Sequence, residues 1–162
     1  MISENNFFSS LVIFISILLL ILLTYSVFYI PNLTWVMPWL STIGVFFWVV
    51  FAKKEFGFGH AFLLGLIEDI VVGTFLGFHG LALIIMYRLA LQQSKYLAGK
   101  PFKVIWFAYT ISLTLVFASS FLLNYILGHG ISTISPLNWV VTVLIFPIIF
   151  IFLLQLNSWI KK

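Results

Sequence analysis

Residues 57–81 read GFGHAFLLGLIEDIVVGTFLGFHGL, and the reading of this stretch decides the fold. It contains Glu68 and Asp69, the two acids that lie inside an apolar segment, and two of the three histidines, His60 and His79. It also carries Gly57, Gly59, Gly65, Gly73, Gly77 and Gly80. An adjacent carboxylate pair in hydrocarbon is costly unless it is paired, protonated or set in a wet cavity. The sequences on either side are longer, more apolar and plainer.

The whole chain has 162 residues, 63% of them hydrophobic and 7% charged. A soluble domain carries about 25% charge, so this composition excludes a soluble globule and predicts an integral membrane protein. The apolar runs lack the period-two alternation of a barrel strand, which leaves helices as the spanning elements. No loop is long enough for a second domain, so residues 1–162 form one transmembrane unit. The basic residues are Lys53, Lys54, Arg88, Lys95, Lys100, Lys103, Lys161 and Lys162. They follow the positive-inside rule rather than any nucleic-acid footprint, so no nucleic-acid partner is expected. The absence of cysteine excludes disulfides, thiolate metal sites and cysteine nucleophiles.

Working outward, the pattern predicts six helices at about 7–30, 35–52, 57–73, 76–93, 103–127 and 137–160. The first apolar run, about 24 residues or roughly 36 Å of helix, is long enough to cross a bilayer and too long for a signal-peptide core. Pro31-Asn32 ends it. Trp35 and Trp39 read as interfacial anchors of the second span, with Pro38 in its first turn. Two readings fit the short central helices, a transmembrane hairpin turning near Gly73 to Gly77 or a re-entrant pair; the hairpin is the expectation. Thr110, Ser112, Thr114, Ser119, Ser120 and Asn124 read as packing groups bonded to other helices. Pro147 predicts a kink in the last span. This arrangement places both termini and seven of the eight basic residues on the cytoplasmic side, with Arg88 able to snorkel there. His129 falls in an external loop and His60 near the cytoplasmic surface.

Glu68 and Asp69 point about 100° apart on a helix and cannot share one role. Asp69 shares a face with Phe62, Gly65, Val72 and Gly73, so it is expected to point inward, with Glu68 towards a rim or cavity. Asp69 and His79 lie at similar depth on either side of the turn, which makes a carboxylate–imidazole pair feasible. Arg88, about nine ångström deeper by helix rise, is the weaker partner. A proton relay would require several such groups in series, and the other helices offer none. Adjacent carboxylates cannot flank a bond as a glycosidase requires, and no HExxH or Ser-His constellation appears. No catalytic, metal or cofactor site is expected. Gly73-x-x-x-Gly77 reads as a turn.

At these residues the sequence resembles the rod shape-determining MreD family. Gly65, Asp69, Gly73 and Gly77 fall on the family's glycine-bounded pattern, and residues 81–87 continue it. Trp48 at the end of the second span agrees as well. Many members begin that span Arg-Pro-Asp; here it reads Met37-Pro38-Trp39, so only Pro38 is kept. The resemblance implies a non-enzymatic scaffold of the bacterial inner membrane that acts in cell-shape maintenance and lateral peptidoglycan synthesis. Its direct partner would be MreC, with MreB, RodA and a class B penicillin-binding protein in the same complex. The implied site residues are Gly65, Glu68, Asp69, Gly73, Gly77, His79 and Arg88, all structural or partner-binding. The family is also similar in fold to the substrate-binding component of energy-coupling-factor transporters, so a vitamin-binding role is the rival. Residues 7–30 contain no alanine for the Ala-x-x-x-Ala docking motif of those components.

Overall fold

The computed structural model describes residues 2–27, 37–52, 55–97, 99–127 and 135–160. Asn32, Trp35, Lys53, Lys54, His129, Lys161 and Lys162, with the loops expected around 32 and 128–134, lie outside the described residues. The described chain is all-helical and has no strand. In order the helices are α1 (Ile2–Val27), α2 (Leu40–Phe51), α3 (Phe58–Val72), α4 (Phe78–Leu97), α5 (Phe102–Ile126) and α6 (Pro136–Ile160). Three helices, α1, α5 and α6, are long and apolar enough to cross a membrane.

The shortest of the other three, α2, forms the core. Its 12 residues give about 18 Å of rise, less than the roughly 30 Å of a bilayer core. Every residue from Leu40 to Val50 is buried. A helix apolar on all sides must be enclosed; α1, α4, α5 and α6 enclose this one. Gly44 lets α1 approach: a Cβ there would sit 3.0 Å from Ile17 Cγ1 and 3.1 Å from Leu20 Cδ1. The outer sides of α1 and α6 stay apolar, with Leu11, Ile15, Leu19 and Leu22 exposed on one and Leu144, Ile148 and Ile151 on the other. Such surfaces suit lipid or a partner helix.

Pro38 does not sit in the first turn of α2, as the sequence pattern suggested, but precedes the helix. The two N–H groups around it are capped from α6. Met37 N–H donates to Asn138 Oδ1 at 2.9 Å and Trp39 N–H to Thr142 Oγ1 at 2.9 Å. Asn138 and Thr142 are four residues apart and so share one face of α6. Trp48 is buried and donates its indole N–H to Ser16 Oγ at 2.9 Å, tying α2 to α1.

The α5 hydroxyls bond mostly within their own helix rather than across to others. Thr110, Ser112, Thr114 and Ser119 donate to carbonyls three or four residues back. Two of them then accept from neighbours, Ser112 from Gln93 Nε2 at 3.0 Å and Thr114 from Trp139 Nε1 at 3.2 Å. α6 runs through Pro147. Proline has no N–H, so the carbonyl four residues earlier, Val143, loses its helical donor. Trp106 Nε1 of α5 supplies a replacement at 3.2 Å.

The α3–α4 pair packs backbone to backbone. A Cβ on Gly65 would fall 2.4 Å from Gly80 Cα and 2.6 Å from Gly80 N. Phe58 meets Tyr87 further along, with ring centroids 6.3 Å apart, so the two helices run antiparallel as a hairpin. Gly65 lies seven residues before the end of α3, whereas Gly80 lies two after the start of α4. α3 therefore stands about 7 Å taller, and the connecting turn has to descend.

Two pairs of outcomes are expected in thermal unfolding of detergent-solubilised protein. Gly65→Ala should destabilise by the upper part of the roughly 1–3 kcal/mol typical of overpacking, because backbone blocks the new methyl. Gly73→Asn should be near neutral, since the site is open and asparagine tolerates positive φ; equal losses at the two sites would contradict this packing. Trp106→Phe should cost about 1–3 kcal/mol by orphaning a carbonyl. The same change made on Pro147→Ala should cost about 1 kcal/mol less, because a main-chain donor is restored.

Candidate functional site

The site lies where α3 turns into α4. α3 ends on Gly73 in the left-handed conformation, φ 73°, with its N–H and that of Thr74 donating to the Asp69 carbonyl at 2.9 and 3.1 Å. This is a common glycine stop. Gly77 also has positive φ, at 99°, and leads into α4. The turn expected over residues 73–77 is thus present, and its two glycines supply backbone angles that most side chains reject.

Asp69 closes the turn from below. Its Oδ2 accepts from Gly77 N–H at 2.7 Å, and its Oδ1 from His79 N–H at 2.9 Å. These donors belong to the entrance of α4, where helical N–H groups have no intrahelical partner. Oδ1 also accepts from Thr74 Oγ1–H at 3.0 Å and from His79 Nδ1 at 2.8 Å. The carboxylate needs a proton on His79 Nδ1, which fixes the donor side of the ring. One side chain therefore caps α4 while its own carbonyl terminates α3. The descent of the turn explains the geometry, since it lowers Gly77 and His79 onto Asp69. The charge also sits favourably at the N-terminal end of the α4 dipole.

Glu68 does not face a rim or cavity; it is buried, with 1% of its surface exposed. The 100° between neighbours turns it away from α4, but that direction is covered by α1 and α2. Its Oε1 accepts from Trp39 Nε1 at 3.0 Å and from Ser41 Oγ at 3.1 Å. Tyr25 Oη reaches the same oxygen at the long limit of 3.5 Å. Oε2 has no hydrogen-bond partner among the described residues. Trp39 is thus no interfacial anchor. It is buried, and its ring meets His79 edge-on at 5.2 Å and Phe117 at 5.4 Å. It links the two acids, bonding Glu68 directly and meeting Asp69 through His79.

The other expected residues fall as follows. Gly65 makes the close approach to Gly80, and His79 is buried against Asp69. Arg88 stands apart, exposed on α4 and in no ion pair among the described residues. His60 is not simply solvated. Its Nδ1 accepts from Gly57 N–H at 3.2 Å, capping α3, and its Nε2 lies 3.1 Å from Ser10 Oγ. With Nδ1 an acceptor, the neutral ring carries its proton on Nε2 and donates to Ser10. A base activating a serine needs the reverse, so this is no nucleophile pair.

Tyr25, Ser41 and Thr74 join the site without having been singled out in the sequence, and Trp39, read there as an anchor, and Gly80, named only among the glycines, join it too. Thr74, directly after the glycine stop, carried a local signal, because a hydroxyl in a turn seeks a nearby acceptor. Trp39 and Ser41 carried none, since only the tertiary fold brings them to Glu68. No three metal-ligating side chains come together among the described residues. Compared with known proteins, the chain matches no family model, no curated protein and no solved structure.

The network makes opposite demands on the two acids. Asp69→Asn sets an amide N–H against Gly77 N–H or His79 N–H and should cost about 1–3 kcal/mol. Glu68→Gln keeps an acceptor for Trp39 and Ser41 while removing a buried carboxylate, and should leave the melting temperature unchanged or higher. A Glu68→Gln variant that melts well below the native protein would show that the second oxygen has a partner the structure does not reveal.

Proposed function

We propose that this chain is a membrane scaffold similar to the MreD family, working by binding other envelope proteins and not by catalysis. In this reading it is a six-helix transmembrane bundle of the bacterial inner membrane, with both termini in the cytoplasm. The 20 residues of α4 give about 30 Å of helix, enough for a bilayer core; α3, at about 22 Å, is completed by its flanking turns. The reading also implies a fold similar to the substrate-binding component of energy-coupling-factor transporters. MreC is the direct partner, and MreB, RodA and a class B penicillin-binding protein belong to the same complex. The task is support of cell shape and lateral peptidoglycan synthesis.

The observation that carries this reading is the closure of the acidic pair. Every hydrogen bond that Asp69 accepts comes from the hairpin it belongs to, and Glu68 is turned into the helix core. Carboxylates so used shape a rigid hairpin. They present no acid or base to a substrate from outside. What the hairpin offers its surroundings is an apolar outer surface, including Ile70, Phe75 and Leu76, suited to a partner helix.

Affinity isolation from native membranes tests it. A bitopic periplasmic coiled-coil protein should co-purify, whereas ATPase subunits with a bound vitamin would establish the transporter reading instead. Asp69→Ala should reduce that co-purification and lose rod shape. Normal morphology in that variant at normal protein levels would refute the role of the hairpin.

A further inference from the structure

We infer that the exposed basic face where α4 meets α5 binds the phosphate of an anionic phospholipid, with Arg88 gripping it. This inference rests on the proposed reading of α4 as a membrane span, though not on the scaffold role.

Along α4 the exposed residues Leu81, Arg88, Gln92 and Lys95 recur at intervals of seven, four and three. They form one stripe, and it faces outward. At the upper end the stripe is apolar, with Leu81 nearly half exposed. Arg88 continues it about 10 Å short of Lys95 by helix rise. An arginine on an outward, otherwise apolar face lies inside the membrane region, and its head must find an anion or reach the interface.

The described side chains supply no such anion. The chain has four acids against eight basic residues. Asp69 is held by His79 at the opposite end of α4, and Glu68 is buried. Glu55 makes no ion pair among the described residues. Lys95 in the last turn of α4, Lys100 in the connection and Lys103 in the first turn of α5 are likewise exposed and unpaired among them. Three positive charges thus gather at one end of two adjacent helices, with Arg88 about 10 Å further along the outer face of α4.

The surroundings match a lipid more closely than an acidic protein. Tyr96 is 76% exposed beside the lysines, as an interfacial aromatic should be. Below Lys103, Val104, Phe107 and Ile111 form an exposed apolar strip on α5. A headgroup held at the three lysines would lay an acyl chain along that strip, within reach of a snorkelling Arg88 only from the outer face of α4. The planar guanidinium of Arg88 is suited to two phosphate oxygens at once. The lysines add a diffuse attraction to the anionic surface.

The test reconstitutes the full chain in nanodiscs containing equal phosphatidylglycerol and phosphatidylcholine, then counts retained lipids by native mass spectrometry. The native protein should keep phosphatidylglycerol in preference, and 1 M salt should weaken that preference. Arg88→Gln should lower retention about fivefold, the effect of one basic residue at such a surface. Its melting temperature in phosphatidylcholine should stay unchanged. Should Arg88→Gln fail to fold, Lys95→Gln/Lys100→Gln/Lys103→Gln reads the same surface and should lose still more. Equal retention of both lipids by the native protein would overturn the inference. So would an acidic protein that is released by Arg88→Gln while phosphatidylglycerol retention holds.

Discussion

The structure depends on Asp69 serving two helix ends at once. Its carbonyl receives the last N–H groups of α3, and its carboxylate receives the first N–H groups of α4. In hydrocarbon, unsatisfied backbone donors are among the most costly groups a protein can present. This hairpin satisfies them largely from its own residues. The turn can be short because the Asp69 side chain reaches two of them, Gly77 and His79, while the Phe75 carbonyl takes Phe78 N–H. The Gly65–Gly80 contact is the companion condition, since it brings the two backbones close enough for that reach.

Glu68 extends the same logic into the core. Trp39 donates to it from the entrance of α2, where the N–H groups of Met37 and Trp39 are taken by Asn138 and Thr142 of α6. The hairpin, α2 and α6 are thereby joined end to end by polar bonds at one level of the bundle. Elsewhere the packing is mainly apolar, with Phe46, Tyr109 and Phe146 packed about one another, and polar ties such as Trp48–Ser16 and Gln93–Ser112 are scattered through it. Dispersion fills the core but is indifferent to small slides between helices. The directional bonds fix the register.

Much of this was legible in the sequence where the information is local. Six apolar stretches gave six helices, and Gly73 and Gly77 marked the turn because positive φ is a property of one residue. The Asp69–His79 pair followed from counting outward from that turn. Boundaries slipped where polar residues continue a helix. α4 runs to Leu97 through Gln92, Gln93 and Lys95, which favour helix without being apolar. The direction of Glu68 was misread because periodicity gives the angle between neighbours but not what covers each side. Trp39 was misread for a related reason. A tryptophan at the start of an apolar run is as well suited to an acid in the core as to the lipid interface, and only the packed structure chooses.

Proline in the middle of a spanning helix usually provides a place to flex, because the ladder of main-chain bonds is interrupted there. In α6 the gap left by Pro147 is bridged by the indole of Trp106, which belongs to the neighbouring helix. Any bending of α6 at this point must stretch that bridge or carry α5 along. A joint has become a rivet, and the last two helices respond to a sideways push as a single plank.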